Sequence, residues 1–177
     1  MTGVGTERAI VADARADGQA VDWERAYALH AAEILRYLRR LSRDASNAED
    51  LMQETFVRAE RAARVPADAE LRPWLYRIAT NLAIDHLRRG RRIAFMPFSG
   101  REPDERAAFD DSGDAVRHAL RAIPAEQAVT LILRLHEGYS RAEIARLTGV
   151  SERAVKVRLE HGRESFARAY RRERDHR

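Results

Sequence analysis

SRAEIARLTGVSERAVKVRL, Ser140–Leu159, decides how this chain is read. Ala145 is small enough for two helices to cross closely, and Gly149, four residues later, suits a turn that needs positive φ. Val150 and Val155 plug the corner between the helices. Ser140 and Glu143 form an S-x-x-E capping box for the first helix, and Ser151 is the N-cap expected for the second. The second helix, from about Glu152, presents Arg153, Lys156, Arg158, His161 and Arg163 on its polar surface. The pattern is that of a DNA-reading helix-turn-helix. Two antiparallel helices with a solvated basic face are the plainer alternative.

Outward from this stretch, charge is unevenly distributed. Of a net +4 over 177 residues, residues 1–22 carry −2, 23–92 carry +4, 93–114 carry −4 and 115–177 carry +6. Two basic blocks therefore flank an acidic connector. Lys156 is the only lysine, and the planar arginine fork suits phosphates and base edges. Nucleic acid is the natural partner, with a solvated arginine surface as the alternative.

The rest of the chain has helical period. Trp23, Tyr27, Ile34, Leu38 and Leu41 fall on one stripe. Ser46 and Glu49 make a second capping box, opening a helix whose buried stripe is Leu51, Met52, Thr55, Phe56 and Ala59. Residues 65–71 contain Pro66 and read as a loop, and Pro73 sits well at a helix start. A third helix runs through Trp74, Leu75, Ile78, Leu82 and Leu87 to the arginines at 88, 89, 91 and 92. Trp74 belongs with the apolar side of that helix and is expected in the core. Residues 93–114 hold two prolines, two glycines and six acids without helical period, as expected of a linker. Helices resume near Asp114, with stripes at Val116, Leu120, Ile123 and at Val129, Ile132, Leu133, Leu135.

The expected fold class is all-α: two small helical domains on a flexible acidic linker, the second a helix-turn-helix domain. The boundaries are a tail at 1–22, a first domain at 23–92, a linker at 93–114 and a second domain at 115–177. No cysteine is present, which removes disulfides, thiolate zinc sites and cysteine nucleophiles. His30, His86, His118, His136, His161 and His176 lack metal-ligand spacing, and no phosphate-cradling glycine loop or nucleophile elbow appears. No enzyme activity and no cofactor are expected. No apolar run approaches membrane-spanning length, and residues 1–20 lack a signal-peptide core, so the expected location is cytoplasmic.

On the second helix, burying Leu51, Met52 and Phe56 leaves Asp50, Gln53, Glu54 and Val57 on the opposite face. A solvated surface explains it, and so does a docking face for a basic partner helix.

AEDLMQETFVRA, then LRPWLYRIATNLAIDHLRR, then the helix-turn-helix, resembles in combination the extracytoplasmic-function sigma factors of bacterial RNA polymerase. The resemblance covers residues 22–92 and 115–170. It implies that Asp50, Gln53, Glu54 and Val57 grip the β′ clamp helices of core RNA polymerase. It implies a specificity loop over residues 65–71, with Val65, Asp68 and Leu71 pocketing a base flipped from the −10 element. Arg77, Asn81 and Asp85 then match the face that meets the −10 strand, and Arg88 and Arg89 hold phosphates. For Asn81 a surface hydrogen bond is the alternative, and for Asp85 an i+3 pair with Arg88. The −35 reader is Ser151, Arg153, Lys156, Val157, Arg158, His161 and Arg163. Many relatives have G-T-V-K-S-R where this chain has Arg153–Arg158, and Glu160 is unusual in a DNA-facing helix, so the usual −35 preference does not carry over. The loop at 65–71 also lacks a glycine that many relatives carry nearby. Implied partners are core polymerase (clamp helices and β flap), promoter DNA and an anti-sigma protein clasping both domains, with no membrane insertion. The rival is a stand-alone helix-turn-helix regulator of duplex DNA. Free in solution, the tether is expected to let the two readers sample many separations.

Overall fold

Helices alone build the described part of the chain. A computed structural model describes residues 21–42, 44–94 and 111–175. The tail before Val21 and the heart of the linker, 95–110, lie outside the described residues. Seven helices follow in order: α1 Trp23–Leu41, α2 Ala45–Glu60, α3 Asp68–Ala94, α4 Asp111–Ala122, α5 Ala125–Leu135, α6 Arg141–Thr148 and α7 Glu152–Asp175. Among the described residues there is no strand. The all-α, two-module class is as expected. The linker is shorter at both ends, because α3 continues to Ala94 and α4 begins at Asp111.

In the first module, α1–α3 close around Ile34, Tyr37, Leu38, Phe56, Leu75 and Tyr76. The predicted α2 stripe, Leu51, Met52, Thr55, Phe56 and Ala59, is buried throughout. The Tyr37 and Thr80 hydroxyls share a buried hydrogen bond of 2.9 Å that ties α1 to α3. Asp44, not Ser46, caps α2: its carboxylate accepts from the Asn47 N–H at 2.7 Å. A charged acceptor at the positive end of a helix outcompetes a hydroxyl. Glu49 pairs instead with Arg39 on α1 at 3.1 Å.

The third helix starts five residues before the expected Pro73. Asp68 and Glu70 in its first turn complement the exposed N–H groups, and Leu71 and Leu75, one turn apart, both reach the core. That burial draws the turn before Pro73 into the helix. Trp74 is half-buried against the core, on the side its period indicated.

In the second module, Val129, Leu133, Ile144 and Val155 are fully buried at the meeting of α5, α6 and α7. The modules are also packed together: α3 lies against α5 and α6, and α1 against α4 and α5. Their apolar residues form one continuous cluster. The contact draws on partly apolar flanks of both modules that sequence period assigns only to their own cores.

Candidate protein and nucleic-acid interfaces

The face of α2 opposite its buried stripe is open. Asp50 and Gln53 are exposed, Val57 is at the edge of exposure, and Glu54 is half-buried and pairs with Arg58 one turn on at 2.7 Å. The structure thus brings all four candidates to one side. An acid, an amide, a second acid and an apolar edge can receive a basic, partly apolar helix from another protein.

On the neighbouring surface, Val65 is half-buried against the core and Asp68 is exposed at the start of α3. Leu71 does not join them. It is 4% exposed and belongs to the core, so it cannot itself touch a base; its spacing from Leu75 commits it inward. Further along α3, Arg77 is half-buried, and Asn81, Asp85, Arg88 and Arg89 are exposed. Asn81 and Asp85 stand one turn apart with their polar ends free to meet base edges. The Asp85–Arg88 pair considered from spacing does not form. Arg88 donates instead to Glu126 on α5, from Nε at 2.9 Å and from Nη2.

The helix-turn-helix is built as its sequence reads. The Ser140 side chain accepts from the Glu143 N–H at 3.2 Å, and Glu143 accepts from the Ser140 N–H at 2.7 Å. These bonds hold the Glu143 carboxyl below the usual carboxylate range. Gly149 ends α6 with φ of 68°, its N–H on the Ala145 carbonyl. The Ser151 hydroxyl accepts from the Ala154 N–H at 3.2 Å and so caps α7. Arg153, Lys156, Val157, Glu160 and His161 are exposed, over the buried Val155 and Leu159. Lys156 and Glu160 pair across one turn at 3.8 Å. Arg158 is half-buried near Glu126. Arg163 lines a groove shared with Arg36 and Arg39 of α1 and with Leu131 and Leu135 of α5, apart from the other −35 candidates.

Sequence reasoning did not single out the residues that join the modules. Arg72 on α3 is held by both carboxylate oxygens of Glu33, at 3.0 and 3.1 Å, and donates to the Tyr139 hydroxyl at 3.0 Å. Its guanidinium lies 4.9 Å from the Tyr76 ring centre. Partial burial works against the Arg72 charge, but the Glu33 bonds outweigh it and raise its pKa. The Tyr76 hydroxyl donates to Glu137 at 3.0 Å, and Arg40 reaches the same carboxylate at 3.7 Å. Burial, with the Glu137 charge close by, pushes the Tyr76 phenol upward. Burial likewise moves Tyr139 up to about 12. Both phenols therefore stay protonated at neutral pH, Tyr76 donating to Glu137 and Tyr139 accepting from Arg72. Gly138, at φ of 78°, makes the turn that delivers Glu137 and Tyr139 to α3. These partners lie 39 to 97 residues apart in sequence, and no local period signals them.

Among the described residues no helix is long and apolar enough to cross a membrane, and no group of three or more His, Asp or Glu could hold a metal ion.

Residues 26–93 match the sequence profile of Sigma-70 region 2, and residues 113–166 that of Sigma-70 region 4. The chain is 32% identical over 153 residues to the ECF RNA polymerase sigma factor SigM of Mycobacterium tuberculosis, covering 85% of this chain and 78% of the relative. It is 33% identical over 156 residues to the RNA polymerase sigma factor CarQ of Myxococcus xanthus, covering 85% and 90%. Among solved structures, it has the fold of the sigma factor RpoE in a complex with the anti-sigma factor NepR from Bartonella quintana. There the TM-score is 0.63 at 23% identity, over 85% of this chain and 97% of that one. The chain belongs to the extracytoplasmic-function RNA polymerase sigma factors. It is a promoter-specificity factor for transcription initiation, in a family that is not enzymatic.

Proposed function

We propose that residues 23–92 dock on core RNA polymerase and read the −10 element, and that residues 115–177 read the −35 element as duplex. Residues 93–114 join them, and residues 1–22 are a tail. Asp50, Gln53, Glu54 and Val57 meet the β′ clamp helices. Val65 and Asp68 border the flipped base, with Leu71 supporting their loop from below. Asn81 and Asp85 face the −10 strand, beside Arg77, Arg88 and Arg89. Arg153, Lys156, Val157 and His161 enter the major groove, Arg158 meets phosphate, and Ser151 acts by capping the helix. Arg163 contributes from the flank of α7, where the β flap has access. The protein works in the cytoplasm without catalysis of its own, and an anti-sigma protein restrains it.

The observation that carries this reading is the open α2 face on the same chain as a capped, correctly turned helix-turn-helix. A promoter reader of duplex DNA alone needs the second feature and not the first. Run-off transcription with core polymerase and the purified chain tests it, followed by mapping of start sites. Initiation at defined sites, dependent on the chain, is expected. Failure to associate with core polymerase, together with tight binding to a specific duplex by the chain alone, overturns it.

A further inference from the structure

A groove of about 670 Å³ runs between α1 and the helices α4, α5 and α7. The twelve residues that line it are five arginines, one histidine and six apolar side chains, with no acid among them. Leu120, Leu131 and Ile132 are buried at its floor, whereas Leu135 is 64% and Val116 38% exposed at its mouth. Apolar surface left open inside a polar rim marks a binding surface. The rim cations fall into two groups. Arg39 is engaged by Glu49 and Arg40 by Glu137. Arg36 and Arg163 are exposed and make no ion pair among the described residues. The groove thus offers an apolar bed and two unanswered guanidinium groups on one surface.

We propose that this groove binds a free fatty acid, its aliphatic chain on the apolar floor and its carboxylate held by the rim arginines, Arg36 and Arg163 first. Each half of the ligand answers one half of the groove. A phosphate backbone would meet the arginines but leave Leu135 and Val116 in water. A neutral hydrocarbon would cover those side chains and leave the guanidinium groups beside it without compensation. A carboxylate takes the arginine fork through both oxygens, and the chain behind it supplies apolar area. Size separates this ligand from an amphipathic helix. A helix about 10–12 Å across, rising about 5.4 Å per turn, fills roughly 500 Å³ per turn, so the groove holds little more than one turn. Helix-in-groove recognition needs anchors spread over two turns or more. Small-molecule sites have volumes of this order, apolar walls and a few polar groups that fix orientation. The site stands independently of the promoter reading.

The test titrates the full chain by calorimetry with decanoate, dodecanoate and tetradecanoate, each below its micelle concentration. Saturable one-to-one binding is expected, tightening about fourfold for each methylene added against the floor. Arg36→Gln together with Arg163→Gln should weaken decanoate at least about tenfold and leave decanol, its neutral counterpart, unchanged. Leu135→Asp sets a like charge at the mouth and should abolish binding of all three acids. Arg61→Gln, exposed and outside the groove, should not alter it. Far-UV circular dichroism checks the helices of each variant; if the arginine pair loses them, Leu135→Asp must still abolish binding. Sedimentation tests the rival occupant. The chain without fatty acid is expected to be monomeric, and a dimer that Leu135→Asp dissolves overturns the proposal in favour of a second copy at this face. Absence of saturable binding overturns it and leaves the groove to a protein segment. Affinity that ignores chain length, or the loss of both rim arginines, overturns it too. The titration contains neither DNA nor polymerase, so its failure leaves run-off transcription standing.

Discussion

Replacing Gly149 by alanine isolates one term in the geometry that aims α7. A Cβ at this position meets nothing within 4 Å, so crowding contributes no cost. The backbone does, because φ is 68°. A residue with a side chain costs about 1–2 kcal/mol in the left-handed region, and the stiffer unfolded chain offsets about 0.4–1 kcal/mol of that. The net expectation is a loss of about 1 kcal/mol, or about 4–8 °C in Tm for a module of this size. Gly149→Asn should lose less than half as much, since asparagine enters this region at small cost. Gly90→Ala, inside α3 and also uncrowded, should go the other way and stabilise by about 0.4–1 kcal/mol. Urea unfolding separates the modules: Trp23 and Trp74 both lie in the first, so fluorescence follows that module and far-UV circular dichroism follows both. Gly149→Ala should move the dichroism transition more than the fluorescence transition, and Gly90→Ala should move both. Equal stability of the alanine and asparagine variants at 149, or no loss in either, refutes the claim that φ alone decides this position.

Changing Asp50, Gln53 and Glu54 together to alanine should weaken holoenzyme assembly at least about tenfold in a binding titration, with helix content unchanged; unaltered assembly sinks the docking assignment. Asn81→Ala should relax base preference at one −10 position by about 1–3 kcal/mol in a promoter library, whereas Arg89→Ala should weaken all sequences alike and reduce the salt slope by about 1. Tyr37→Phe strands the buried Thr80 hydroxyl and should cost about 1–3 kcal/mol in the fluorescence-detected transition. For Glu126, partial burial pushes the carboxyl up, but its backbone hydrogen bond and Arg88 outweigh this and hold it below the usual range. A depressed folded value means its contribution is complete above the ordinary glutamate pKa of about 4.3 and lost as pH falls through the folded value. The Tm difference between wild type and Glu126→Gln should therefore be largest near neutrality and shrink in acid; a difference constant with pH counts against it.

Much of this molecule is legible along the chain. The α2 stripe, the Ser140–Glu143 box, the Gly149 turn and the Ser151 cap are local patterns, where hydrogen bonds and burial repeat within one or two turns. Errors fell where two local signals competed. Asp44 displaced Ser46 as a cap, and Leu71 went inward with Leu75 although Pro73 marked a later helix start. The α2 face was legible from period alone, since a helix face follows from spacing, whereas Asn81 and Asp85 were singled out by the family resemblance and stand exposed one turn apart.

By itself, the sequence determined seven amphipathic segments, their caps and turn, and which residues each helix keeps out of its own core. Only the tertiary structure decided that Arg88 leaves Asp85 for Glu126, that Arg163 borders a groove with α1, and that Glu137 and Tyr139 reach Arg72 and Tyr76. Periodicity tells a helix which side to bury, because neighbours one turn apart share a face. It carries no information about which distant surface meets that side, for that depends on shape and charge assembled from parts of the chain that never see one another in sequence.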